Sequence, residues 1–149
     1  MNMKIKIFII SIILGTFALL ANGESVKFKD KEKVLSAFSS VIYFDSDKSD
    51  IKPEYETTVV KLLSVLKAYP DNKVMICGHT DSSGHEQKNR ELSNLRAETI
   101  ANYFVQKGIN QDRIETYGLS STDPVGDNKT EDGRALNRRA EIVILSSDK

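Results

Sequence analysis

Residues 73–108 read KVMICGHTDSSGHEQKNRELSNLRAETIANYFVQKG, and the fold follows from them. Val74-Met75-Ile76-Cys77 is apolar on both alternating faces, the pattern of a central strand covered on two sides. Gly78-His79-Thr80-Asp81-Ser82-Ser83-Gly84 is a polar turn. The segment from about Gln87 to Lys107 is a helix, closed by Gly108 in the position past a helix end that favours glycine. A strand that turns directly into a long helix belongs to an α/β sheet, and ligands of such sheets gather at the carboxyl ends of the strands. The turn 78–84 is therefore the first place to look for chemistry.

Working outward, Val41-Ile42-Tyr43-Phe44 is a short strand of β-branched and aromatic residues. The polar loop Asp45-Ser46-Asp47-Lys48-Ser49-Asp50 follows it, and Pro53 occupies the first position of a helix. Tyr55, Val59, Leu62, Leu66 and Tyr69 recur at helical spacing, and Pro70-Asp71-Asn72 ends the run. Downstream, Arg113 to Tyr117 is a short strand, 119–133 is rich in loops, Glu131 to Arg138 holds a short helix, and Ala140 to Leu145 is the last strand. This order makes an α/β two-layer sandwich: a mixed β-sheet of about four strands, two long helices and one short helix.

The second helix carries the most information. With Asn89 at zero and about 100° per residue, Leu92, Leu95, Thr99, Ile100, Tyr103 and Phe104 form one broad apolar face centred near 330°. Arg96 falls at about 340°, inside that face. A buried unpaired charge is strongly disfavoured, so Arg96 has two readings. It is half of a buried ion pair, and its loss then costs about 3–5 kcal/mol. Or it is a partly hydrated anion site at the rim of the core, and its loss then costs about 1 kcal/mol or less. Asp81, in the turn before the helix, is the candidate partner. As a separated pair, Asp81 takes an ammonium and Arg96 takes a carboxylate in fork geometry, which together recognise a zwitterion. Taken alone, Asp81 also reads as a helix N-cap.

Cys77, His79, Asp81 and His85 lie within nine residues, and the first three alternate. Such a set can ligate zinc, which keeps open a metal-dependent hydrolase as the alternative function. Against it, no carboxylate stands at the spacing of a catalytic base, and a lone Cys in an apolar run is usually a small hydrophobe. No G-x-S-x-G elbow is present for a serine hydrolase. The expectation is therefore a non-enzyme with no cofactor and no functional metal. One Cys in 149 residues permits no intramolecular disulfide. With 21 basic and 21 acidic residues the chain lacks the basic surface of a nucleic-acid binder.

Lys4 and Lys6 form a short positive region, Ile5 to Leu20 is almost wholly apolar, broken only by Lys6, Ser11, Gly15 and Thr16, and Ala21-Asn22-Gly23 supplies small residues for cleavage. Residues 1–23 read as a signal peptide and residues 24–36 as a polar lead-in, leaving a domain over 37–149. An uncleaved anchor is the alternative. Cleavage leaves 19 basic and 21 acidic residues in a soluble periplasmic product, with no transmembrane segment expected in the mature chain.

Four ordered motifs now stand together: Phe44-Asp45-Ser46-Asp47-Lys48-Ser49-Asp50-Ile51, Gly78-His79-Thr80-Asp81, Leu92-Ser93-Asn94-Leu95-Arg96-Ala97 and Asn137-Arg138-Arg139-Ala140-Glu141-Ile142. Over residues 41–145 the chain resembles the OmpA-like C-terminal domain shared by OmpA, Pal and MotB. The resemblance implies non-covalent binding of peptidoglycan, with Asp81 on the ammonium and Arg96 on the α-carboxylate of a stem-peptide diamino acid, usually diaminopimelate. It further implies contacts from Thr80, Asn89, Asp45, Asp47 and Arg138, although Asp47 stands where many members carry Asn. Its implied setting is the cell wall at the outer membrane, among other envelope proteins. With no barrel strands, no Cys near residues 20–25 and no acidic residue in the N-terminal apolar segment of this sequence, the expectation is a free-standing exported binding domain, and the alternative class is a metal-dependent periplasmic hydrolase acting on the cell wall.

Overall fold

The structure is a computed structural model that describes residues 19–21, 24–26 and 33–146, with side chains over 39–145. Most of the expected leader, 1–18, and residues 27–32 of the lead-in lie outside the described residues. Of what remains between them, Leu19–Ala21 pairs antiparallel with Glu24–Val26. Among the described residues no helix is long and apolar enough to cross a membrane.

The domain runs β1 (Lys33–Tyr43), a 3-10 turn (Pro53–Tyr55), α1 (Glu56–Ala68), β2 (Lys73–Gly78), α2 (Glu86–Gln106), a second 3-10 turn (Gln111–Arg113), β3 (Ile114–Gly118), α3 (Glu131–Asn137) and β4 (Arg139–Ser146). The sheet order is β1-β4-β2-β3. β4 is antiparallel to both β1 and β2, while β2 and β3 are parallel and joined through α2. The expected mixed four-stranded sheet with two long helices and one short one is the observed architecture. β1 is longer than the four residues read from sequence, beginning at Lys33 with a register shift between Val34 and Ser39. Its first half, 33–38, reads KVLSAF and does not alternate apolar with polar residues.

β2 is buried on both faces, as its composition required. Val74 and Ile76 join the main core with Leu62, Leu66, Ile100 and Phe104 under the helices. Met75 and Cys77 join a smaller cluster on the far face with Leu119, Val143 and Leu145. Burial pushes the Cys77 thiol far up, so it behaves as a hydrophobe.

α2 is rotated from the expected orientation. Its buried residues are Asn89, Ser93, Arg96, Ala97, Ile100, Ala101 and Phe104, a face centred near 40° at about 100° per residue. Leu95, counted as core from its type, is exposed. The small residues Ala97 and Ala101 carry the close packing that a count of large apolar side chains overlooks. Gly78 is the reason the helix comes so near: a Cβ there would collide with the main-chain carbonyl of Ser93. Gly108, at φ 94°, reverses the chain after α2 as its position predicted.

Candidate functional site

Three segments converge at one end of the sheet: the loop leaving β1, the turn leaving β2 and the first half of α2. Arg138, between α3 and β4, closes the side. They enclose a pocket of about 130 Å³. Ser46 and Asp47 come from the first segment, Thr80, Asp81, Ser83 and Gly84 from the second, and Lys88, Asn89, Leu92 and Arg96 from the helix.

Arg96 organises this site and corrects both readings of it. The side chain is 0% exposed, so it is not a half-hydrated group at a pocket mouth. Nor does it form an ion pair with Asp81. Its Nε donates to the Lys48 carbonyl (2.9 Å), Nη1 to that of His79 (2.7 Å) and Nη2 to that of Asp45 (3.1 Å). The guanidinium lies 5.1 Å from the Phe44 ring centroid, within cation–π range. It thereby ties α2 to the ends of β1 and β2. Burial pushes its pKa down to about 10, opposed by the nearby Asp81 charge, so it stays cationic at neutral pH. Three of its five N–H groups donate to these main-chain carbonyls, and each terminal nitrogen carries one more N–H.

Asp81 is held differently. Its Oδ1 accepts from the Ser83 main-chain N–H (2.9 Å), and its Oδ2 pairs with Arg138 Nη1 at 3.1 Å. The first bond closes a turn on itself, so Asp81 does not cap α2; His85 occupies the N-cap position and makes no side-chain cap. Desolvation raises the Asp81 carboxyl, but the Ser83 N–H and Arg138 outweigh it and hold the group below the ordinary carboxylate range. Each oxygen has accepted one bond and keeps capacity for another. Arg138 is clamped in turn by Glu131 at 2.8 Å. Desolvation lowers its pKa, yet these two carboxylates leave it raised.

The remaining residues expected at the site divide by role. Thr80 is 4% exposed, lines the pocket, and its hydroxyl has no hydrogen-bond partner. Asn89 donates to the Ser83 carbonyl (2.9 Å) and, more weakly, to that of Asp81 (3.4 Å), so it fixes the turn that carries the carboxylate. Asp47, at φ 56°, lines the mouth and pairs with Lys88 at 2.9 Å. Asp45 does not bring its side chain to the pocket lining. Its carboxylate pairs with Lys52 (3.1 Å) and its carbonyl holds Arg96. Ser46, Ser83, Gly84, Lys88 and Leu92 line the pocket without having been singled out in the sequence. For Lys88 a signal existed, since it stands four residues before Leu92 and therefore on the same helix stripe.

Cys77, His79, Asp81 and His85 do not converge. The strict alternation ends with β2 at Gly78. Cys77 is packed in the far-face cluster, Asp81 faces the pocket, and His85 is exposed at the start of α2. Among the described residues no group of three or more His, Cys, Asp or Glu side chains is placed to hold a metal ion. His79 is fully buried, its Nε2 3.9 Å from Glu141, with neither ring nitrogen hydrogen-bonded. Desolvation, reinforced by Arg139 and Arg96, keeps its pKa well below the usual histidine value. Arg139 is also buried and pairs with Glu141 at 2.7 Å and Asp123 at 3.6 Å. The metal-dependent hydrolase alternative thus finds no support in this arrangement.

The family model described as "OmpA family" matches residues 43–138. Outer membrane protein A of Bordetella avium is 39% identical over 124 residues, covering 81% of this chain and 64% of that protein. The peptidoglycan-binding protein ArfA of Mycobacterium bovis is 42% identical over 103 residues, covering 69% of this chain and 32% of that protein. The chain thus spans less than two thirds of the length of either curated relative. Among solved structures, the peptidoglycan-associated lipoprotein of Burkholderia pseudomallei superposes with a TM-score of 0.67 at 29% identity, covering 70% of this chain and 88% of that one. With the family model matching 43–138, well over half of its residues, the chain belongs to the OmpA family.

Proposed function

We propose that the domain binds peptidoglycan non-covalently through the zwitterionic end of a stem-peptide diamino acid of the diaminopimelate type. The observation that carries the reading is the pairing, in one small pocket, of an ionised carboxylate with spare acceptor capacity and a buried guanidinium with two uncommitted N–H groups. Asp81 meets the ammonium and Arg96 the carboxylate. The unpartnered Thr80 hydroxyl gains a partner on binding, and Arg138 holds Asp81 charged and oriented. A relative named as a peptidoglycan-binding protein and a neighbour named as a peptidoglycan-associated lipoprotein support the same ligand.

The role is binding rather than catalysis. A carboxylate held below its normal pKa is a poor proton acceptor near neutrality, and an arginine spent on three carbonyls orients a ligand without offering a nucleophile. The domain would tether or organise the cell envelope from the periplasm, carried there by the leader over residues 1–23. Co-sedimentation with purified sacculi tests the reading. The wild-type protein should pellet with sacculi, and Asp81→Ala should remain in the supernatant while still folded. Equal pelleting of the two would overturn the assignment of the pocket.

A further inference from the structure

The mouth of the pocket is spanned by an ion pair whose two members come from different walls. Asp47 stands on the loop after β1, and Lys88 stands in the first turn of α2, 2.9 Å away. Their side chains are 66% and 64% exposed. A pair so exposed is worth at most about 1 kcal/mol, so either partner can exchange it for a ligand group at little cost.

The cations of the pocket are not equally free to do so. Arg138 is already matched by Asp81 and Glu131, and Arg96 is committed inward to three carbonyls. Among the described residues Lys88 pairs with the exposed Asp47 carboxylate, and its ammonium keeps donors to spare. An ammonium on a flexible stem suits a carboxylate whose position is fixed only loosely outside the pocket.

We propose that Lys88 determines specificity by reading a second carboxylate, the α-carboxylate of the γ-linked glutamate that precedes the diamino acid, and so favours stem peptides in which that group is free over those in which it is amidated. This rests on the zwitterion pocket described above. Asp47 and Lys88 line the same pocket as Asp81 and Arg96, so in this proposal the diamino acid's free end lies against Asp81 and Arg96 and the rest of the peptide passes the Asp47–Lys88 rim. A free carboxylate there replaces Asp47 as the partner of Lys88, whereas a carboxamide brings no charge.

The test uses two synthetic tripeptides, L-Ala-γ-D-Glu-meso-diaminopimelate and its counterpart with the glutamate α-carboxyl amidated. Each is titrated into wild type, Lys88→Gln, Lys88→Arg and Asp81→Asn. Wild type should prefer the free acid by about five-fold at low salt, less as salt rises. Lys88→Gln should abolish that preference, and Lys88→Arg should retain it. Asp81→Asn should weaken both peptides. If wild type shows no preference, or Lys88→Gln keeps it, the role of Lys88 is overturned while the pocket stands, provided Asp81→Asn still weakens both. If wild type binds neither peptide, both readings fall.

Discussion

Arg96→Met is the perturbation that reaches furthest into this structure. Methionine approximates the aliphatic part of arginine, so the substitution removes the guanidinium without opening a large cavity. Three main-chain carbonyls then lose their donor: that of His79 in a buried place, and those of Asp45 and Lys48 in partly buried ones. A hydrogen bond from a charged donor contributes about 1.5–3 kcal/mol where it is buried and less where water reaches it, so the three together come to about 3–5 kcal/mol. Some relaxation of the 45–48 loop recovers part of this. We expect a loss of about 3–5 kcal/mol, which for a domain of this size lowers Tm by at least about 12 °C. The assay is a thermal melt, paired with titration of a diaminopimelate-containing tripeptide at a temperature where the variant remains folded. Affinity should fall at least ten-fold, because a charge-assisted contact worth about 1.5–3 kcal/mol goes with the guanidinium. A loss of stability under about 1 kcal/mol would refute the view that Arg96 ties the three segments together. A large loss of stability with unchanged affinity would refute its role toward the ligand.

Other outcomes follow from single contacts. Thr80→Val removes a buried hydroxyl that has no partner; stability in thermal melts should hold or rise slightly, while tripeptide affinity falls. Gly78→Ala should destabilise by about 1–3 kcal/mol or more in chemical denaturation, since α2 must move away from Ser93. His79 is kept neutral by burial, with a folded pKa below its unfolded value near 6.5. The unfolded chain therefore takes up a proton that the folded one refuses, and stability present above pH 6.5 is lost as pH falls below it, by up to about 1.4 kcal/mol per pH unit. His79→Leu should flatten that part of the stability–pH profile. Asp81 has the depressed pKa of a stabilised carboxylate, so tripeptide binding should persist through mild acid and fail only once the pH drops through its folded pKa.

The elements were legible where local pattern and burial coincide. β2 announced its central place because both faces are apolar, and α2 announced its end at Gly108. The rotation of α2 was not legible, because Ala97 and Ala101 contribute to packing through the room they leave rather than the surface they bury. In the same way, Arg96 could be flagged as anomalous on its stripe, but its partners are carbonyls. Every residue has a carbonyl, so no side-chain pattern announces which ones will accept. Asp45 illustrates the point: its place in the motif was visible, whereas the fact that its carbonyl and not its carboxylate serves the site depends on how the 45–48 loop folds back. Asp81 was recognisable, yet its engagement with Arg138 joins residues 57 apart and needs the β4–β2 pairing to bring it about.

The central claim is that one pocket reads both charges of a diamino acid's free end. Calorimetric titration of two tripeptides, one ending in meso-diaminopimelate and one in L-lysine, tests it most directly, because the two ligands share the terminal ammonium and differ in the carboxylate beside it. The diaminopimelate peptide should bind at least ten-fold more tightly, the equivalent of one charge-assisted contact with Arg96. Equal affinity for the two would contradict it.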